Sequence, residues 1–211
     1  MKNLFIAILF SIVTVSAVSA GEPVQPMFGM KVAYLHKFYH GVRNNGSVTD
    51  LNCWGLGGGE SGIRFGLTVE PRFGKVASLS TGVFYEYFMS QNHITRWKAH
   101  EHLLYIPVHA KCSLSLRRDF AVYVLAGPAL NWGMNIKLSH GSDDDIEPHF
   151  GKMGWPRRVQ ILGEGGVGVA WRKVALEVIY GIGLLKEDSM PQGLYRHIRQ
   201  QKLSVQLEVK F

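Results

Sequence analysis

The chain has 211 residues, 46% of them hydrophobic and 18% charged, with a formal net charge of +7 and two cysteines. That length suits one domain. The basic charges are scattered, with no Lys/Arg run longer than a pair, which argues against a nucleic-acid partner.

Residues 1–20 carry Lys2, an apolar run over 4–18 and a small-residue site at Val18, Ser19 and Ala20. This is the pattern of a cleavable signal peptide with its cut near Ala20, too short and too poorly flanked to stay as a membrane anchor. No Cys follows the cut, which argues against a lipid anchor. What remains, residues 21–211, carries a net charge of +6 once Lys2 is lost.

Eight segments with a period of two follow. The first, 28–38, sets Met30, Val32 and Tyr34 against Gly29, Lys31 and Ala33. A Gly- and Asn-rich connection leads to the second, 62–70, where Ile63, Phe65, Leu67 and Val69 oppose Gly62, Arg64, Gly66, Thr68 and Glu70. Pro71 and Gly74 mark a tight turn into the third, ending near 89, with Leu79, Val83, Tyr85 and Tyr87 opposite Ser78, Ser80, Phe84 and Glu86. After a polar stretch over 90–101, the fourth, 103–114, places Leu104, Ile106, Val108 and Cys112 against Tyr105, Pro107, His109 and Lys111. Pro107 is expected to be a local irregularity.

The fifth segment, 120–137, has Phe120, Val122, Val124, Leu130, Trp132 and Met134 on one face and Tyr123, Gly127, Asn131 and Asn135 on the other. An acidic insert, 139–156, precedes the sixth, 159–171, where Val159, Ile161, Val167, Val169 and Trp171 oppose Gln160, Glu164, Gly166 and Gly168. Arg172 and Lys173 turn the chain into the seventh, 174–185, with Leu176, Val178, Tyr180 and Ile182 opposite Glu177, Gly181 and Gly183. The last strand alternates Leu203, Val205, Leu207, Val209 and Phe211 with Ser204, Gln206, Glu208 and Lys210.

The connections run to roughly twenty, five, twelve, four, twenty, two and fourteen residues in chain order, so long and short alternate. This predicts an all-β, eight-stranded antiparallel up-and-down transmembrane β-barrel over 21–211, with long loops outside and short turns and both termini in the periplasm. A soluble lipocalin-like barrel would turn the same apolar faces inward. Three features favour the membrane: wide apolar faces almost free of charge, Gly-rich opposite faces suited to a narrow lumen, and aromatics near the strand ends resembling interfacial girdles.

The run Leu103, Leu104, Tyr105, Ile106, Pro107, Val108, His109, Ala110, Lys111 resembles a strand signature of the small PorT-like outer-membrane β-barrel family. Ala126-Gly127-Pro128 and Gly165-Gly166-Val167-Gly168 resemble that family's fifth and sixth strands, although His109 stands where an aliphatic residue is commoner. The resemblance implies an eight-stranded outer-membrane barrel, some of whose relatives serve protein secretion.

On this reading Lys31, Arg64, Glu70, Glu86, Lys111, Glu164, Glu177 and Glu208, together with Lys202 and Lys210, form a charge network inside the barrel, structural and not an ion path. No porin-wide channel is expected. Trp54, Trp97 and Trp155 are candidate contact residues in three outer loops. Leu207, Val209 and Phe211 resemble the carboxy-terminal signal read by the outer-membrane assembly machinery. Expected partners are that machinery, outer-membrane lipid and lipopolysaccharide, and an unidentified protein; no cofactor is expected.

The expected function is a non-enzymatic structural or interaction component of the Gram-negative outer membrane, possible as a secretion accessory. A lipid-modifying barrel enzyme is the rival: His140 and Ser142 with Glu147 resemble a His-x-Ser arrangement, but in a loop rather than on a rigid strand. Asp143, Asp144, Asp145, Glu147, His140 and His149 could offer metal ligands without matching a calcium-loop spacing. Cys53 and Cys112 fall near opposite ends of the barrel, too far apart for a disulfide.

Overall fold

The computed structural model describes residues 26–43, 48–51, 60–74, 76–91, 97–140, 144–146, 150, 157–185 and 195–211. Ten strands occur in chain order: β1 (Pro26–Arg43), β2 (Val48–Leu51), β3 (Glu60–Phe73), β4 (Ala77–Gln91), β5 (Trp97–Arg117), β6 (Phe120–His140), β7 (Asp144–Ile146), β8 (Val159–Trp171), β9 (Val174–Gly183) and β10 (Tyr195–Lys210). Eight of them are staves, each antiparallel to its neighbours; β2 and β7 are short ribbons paired to β1 and β6. β10 pairs with β1, Gly29 opposite Lys210 and His36 opposite Leu203, which closes the sheet. The Phe211 N–H donates to the Phe28 carbonyl at 3.0 Å, extending the seam to the last residue.

Alternation along each stave sorts side chains to two sides of a closed wall. In β9 the pattern has no exception: Val174, Leu176, Val178, Tyr180 and Ile182 face out, while Ala175, Glu177, Ile179, Gly181 and Gly183 face in. The outer wall carries exposed Val32, Phe65, Leu67, Val167, Val178 and Leu207 among many others, and the buried residues include thirteen Lys, Arg and Glu. Charges inside and hydrocarbon outside are stable only with lipid around the barrel, since water would solvate the opposite arrangement. This excludes the soluble barrel, and the fold is a transmembrane one.

The ends at which β3 meets β4, β5 meets β6 and β8 meets β9 lie on the side of the barrel that holds Pro26 and Phe211; the strand ends Arg43, Glu60, Gln91, Trp97, His140, Val159, Gly183 and Tyr195 lie on the other. The third connection is shorter than expected because β4 and β5 extend toward each other, with Gln91 opposite Lys98. Trp97 is therefore the first residue of β5, opposite His140, and not a loop residue. Trp54 and Trp155 lie outside the described residues, as do the 1–20 segment, Cys53, Ser142, Glu147 and His149.

Two of the ladder's irregularities involve the pairings of β5. Around Pro107 the β4 pairing skips from Thr81–Val108 to Phe84–Tyr105, and the Thr81 hydroxyl donates to the Pro107 carbonyl at 2.7 Å. The missing proline N–H accounts for the gap. A bulge at Met134 lies between the His102–Asn135 and Leu103–Gly133 pairs. Period-two reading fails beyond it: Asn135 is only half-buried, and Ile136, 0% exposed, takes the inward position.

Glycines let the interior side chains meet. A Cβ on Gly66 would lie 2.2 Å from the Val83 carbonyl and 2.7 Å from the Phe84 Cα, both backbone, so the strands would have to separate. Gly165, where a Cβ would meet nothing nearer than 3.9 Å, has room. Gly66→Ala is expected to cost about 1–3 kcal/mol in urea unfolding from detergent micelles, and Gly165→Ala to be near neutral. Equal effects would contradict this account of the inner wall.

Candidate functional site

The lumen holds three tiers of charge. Nearest the short turns, Lys31, Lys111 and Lys210 meet Glu70, Glu177 and Glu208. Glu70 Oε2 accepts from Lys210 at 2.6 Å and Lys111 at 3.1 Å, while Ser78 donates to its Oε1. Glu177 Oε2 accepts from Lys31 at 2.8 Å and from the Gln206 amide at 2.6 Å, and its Oε1 from Tyr123 at 2.8 Å. Glu208 Oε1 accepts from Thr68 at 2.9 Å. Its Oε2 sits 3.6 to 3.9 Å from all three lysines without a hydrogen bond.

In the middle tier Glu86 Oε1 accepts from Arg64 Nε at 2.8 Å, Arg64 Nη2 at 2.5 Å and Lys202 Nζ at 3.0 Å. Glu164 Oε2 is bonded to the Tyr105 hydroxyl and lies 2.9 Å from His109 Nε2; its Oε1 is 3.7 Å from Lys202. The guanidinium of Arg64 stacks 3.6 Å from the centre of the Tyr105 ring, and Lys202 approaches the same ring at 4.1 Å. Both cations thus face a ring whose hydroxyl is turned to the carboxylate.

Toward the long connections, Lys37 is ion-paired to both Glu60 and Glu101 and lies 4.6 Å from the Phe88 ring centre. On its short-turn side Leu35, Phe88 and Leu103 pack with Ala33, and Phe150 packs against this cluster. Gly133 admits Phe150: a Cβ there would sit 2.4 Å from the Phe150 ring.

All eight residues expected in the interior network are buried, and every one joins an ion pair with another lumen residue. Lys202 and Lys210 join them. The sequence reading missed the Lys37, Glu60 and Glu101 cluster: Lys37 lay inside the first segment on the Lys31 face, but 60 and 101 fell two residues outside the second and fourth; continuing the period of two by those two residues would have put them inside. It also did not foresee Tyr105 and Tyr123 as carboxylate donors. Leu207, Val209 and Phe211 are exposed on the outer wall. Cys112 is exposed on the same wall, while its proposed separation from Cys53 lies outside the described residues. Among the described residues no His/Cys/Asp/Glu group could hold a metal ion; the side chains of Asp143, Asp144, Asp145, His140 and His149 are not among them.

The described interior leaves little open space. One cavity of about 10 Å³ lies beside Lys37, Glu101 and Phe150, and one of about 80 Å³ opens at the short-turn end beside Glu70, Lys111 and Lys210. On this measure about 10–15 Å³ admits one water, so the first has room for about one and the second for several, while the charged side chains of the tiers fill the described interior between them.

No protein-family model and no curated protein matches the chain. Several solved structures are similar to it. Neisserial surface protein A is 16% identical, with 87% of this chain and 97% of that chain covered and a TM-score of 0.44. Ail, the attachment invasion locus protein of Yersinia pestis, crystallised with the heparin analogue sucrose octasulfate, is 9% identical over 89% and 99% of the two chains, TM-score 0.45. The outer membrane enzyme PagL is 11% identical over 83% and 98%, TM-score 0.42. Identities this low concern the shape of the barrel alone.

Proposed function

We propose that the chain is a non-enzymatic outer-membrane β-barrel of the Gram-negative envelope, delivered by the 1–20 signal peptide and acting as a structural or interaction component. The observation that carries this reading is the lumen filled, among the described residues, by paired charged side chains, which leaves contact surfaces as the working parts. Those surfaces are the outer wall, which faces lipid, and the long connections, where Trp54 and Trp155 would meet lipopolysaccharide or a protein partner. The PorT-like signature at residues 103–111 supports membership of that barrel family, and a role as a secretion accessory follows from it as the finer proposal.

Planar-bilayer recording tests the reading. The refolded chain is expected to show no discrete conductance steps; porin-like steps would sink it. The rival enzyme makes its own prediction: His140→Ala with Ser142→Ala would alter lipid A composition, whereas an interaction protein leaves it unchanged.

Phe211 is assigned to assembly. Its ring is 68% exposed at the barrel rim while its N–H closes the β10–β1 seam. Deleting Phe211 is expected to lower the assembled fraction in the membrane several-fold while leaving the stability of molecules that do assemble within about 1 kcal/mol, the scale of one net hydrogen bond. Unchanged assembly in a pulse-chase experiment would remove Phe211 from that role.

A further inference from the structure

Each short turn carries a pair of basic residues. Arg72 is the second-to-last residue of β3, three positions before Lys75, Arg117 and Arg118 join β5 to β6, and Arg172 and Lys173 join β8 to β9. Arg72, Arg117, Arg118, Arg172 and Lys173 are all exposed; Arg72 stands at the lumen mouth with its Nε 3.8 Å from Glu70 Oε1, and Arg172 Nε lies 3.6 Å from Asp119 Oδ2. The strand order sets the three turns at separate points of the ring, with the chain ends between β10 and β1 at a fourth. The charge therefore surrounds the barrel and is not gathered on one side.

Aromatic residues lie at the same end. Phe28, Phe120, Trp171 and Phe211 are exposed on the outer wall, Phe120 directly opposite Trp171. Such rings settle at the headgroup level of a bilayer. The Arg172 guanidinium lies 5.7 Å from the Trp171 ring centre, which brings it to that level. Arg172 also has φ 54°, in the left-handed region that glycine enters freely and an arginine enters at a cost. Turn chemistry alone would not select arginine here.

We propose that these turns form a basic collar that binds the phosphate groups of anionic phospholipids in the leaflet at that end of the barrel. Guanidinium and ammonium groups bind phosphate by charge-assisted hydrogen bonds, arginine in a two-pronged fashion. A collar spread round the circumference matches lipids, which surround a barrel, better than a protein partner docking on one arc. The proposal rests on the outer-membrane reading, in which this end faces the periplasmic, phospholipid-containing leaflet.

The test uses the chain of residues 21–211 reconstituted in phosphatidylcholine vesicles with a trace of spin-labelled phosphatidylglycerol or spin-labelled phosphatidylcholine. Electron paramagnetic resonance reads the fraction of each label immobilised on the protein. Wild type is expected to prefer phosphatidylglycerol by roughly fivefold, with the preference shrinking as salt is raised. The variant Arg72→Gln, Arg117→Gln, Arg118→Gln, Arg172→Gly, Lys173→Gln is expected to bind both labels equally. Because Arg172→Gly relaxes the turn, the variant keeps its fold, and a mobility shift on boiling verifies this for each sample. Equal binding of the two labels by heat-shifting wild type overturns the collar but leaves the barrel standing. A preference that survives high salt or the five substitutions also overturns the collar. Wild type without any heat shift overturns the barrel reading and the collar with it.

Discussion

Glu86→Ala should lower the stability of the folded barrel by about 3–5 kcal/mol, the range for removing one partner of a buried ion pair. Glu86 is 0% exposed and accepts from both Arg64 and Lys202. Without it, Arg64 keeps a 3.3 Å contact to the Gln206 amide oxygen and the Tyr105 and Phe84 rings, and Lys202 keeps Glu164 at 3.7 Å, the Asn131 amide oxygen at 3.5 Å and the Tyr105 ring. Two cations would then lie in the middle of the barrel beside one carboxylate. Glu86→Gln preserves the shape and isolates the charge, so it should retain most of the loss. Replacing Arg64 and Lys202 by Met together with Glu86→Leu removes the whole cluster and should recover most of the stability. Urea unfolding in detergent micelles, followed by Trp fluorescence, reads all three. A Glu86→Ala loss below about 1 kcal/mol would show that water reaches the middle tier.

The second large effect is expected on the opposite wall. Val178 lies midway along β9 with Val167 and Val205 as its cross-strand neighbours, and it is 42% exposed. Val178→Arg places a guanidinium in hydrocarbon and should cost about 2–4 kcal/mol when the chain unfolds from lipid vesicles. The adjacent Glu177 answers in reverse: Glu177→Val adds an apolar side chain yet strips Lys31 and Lys111 of a shared carboxylate, and should also destabilise. Neighbouring positions that reject opposite chemistries are the signature of a wall with lipid on one side and a polar plug on the other. Tolerance of Val178→Arg would place water where the account places acyl chains.

The staves were legible in the sequence because each β-strand separates two environments that differ sharply. Alternation alone assigned Arg64, Glu86, Glu177 and Glu208 to one wall, and Phe65, Val178 and Leu207 to the other. It failed where local geometry breaks the period. The bulge at Met134 reverses the phase, so Ile136 rather than Asn135 points inward. It also stopped short at the long-connection end, which turned Trp97 into a loop residue and hid Glu60 and Glu101, the partners of Lys37.

Partner choice inside the lumen was not legible at all. Lys31 and Glu177 are 146 positions apart and meet only because β10 closes against β1. Which lysine meets which glutamate depends on the stagger of the closed ring, and no local pattern records it. Tyr105 and Tyr123 show the same limit. Each looks like an apolar lumen filler, and each donates its hydroxyl to a carboxylate on a distant strand.

The inside-out wall in an outer membrane is the central claim, and one measurement bears on it most directly. The full chain is expressed in a Gram-negative host, the membranes are separated by density, and the protein is run on gels before and after boiling. The account predicts a product shortened at its amino terminus that sediments with the outer membrane, leaves it only in detergent, and changes mobility on boiling. A protein released without detergent, with the same mobility before and after boiling, would contradict it.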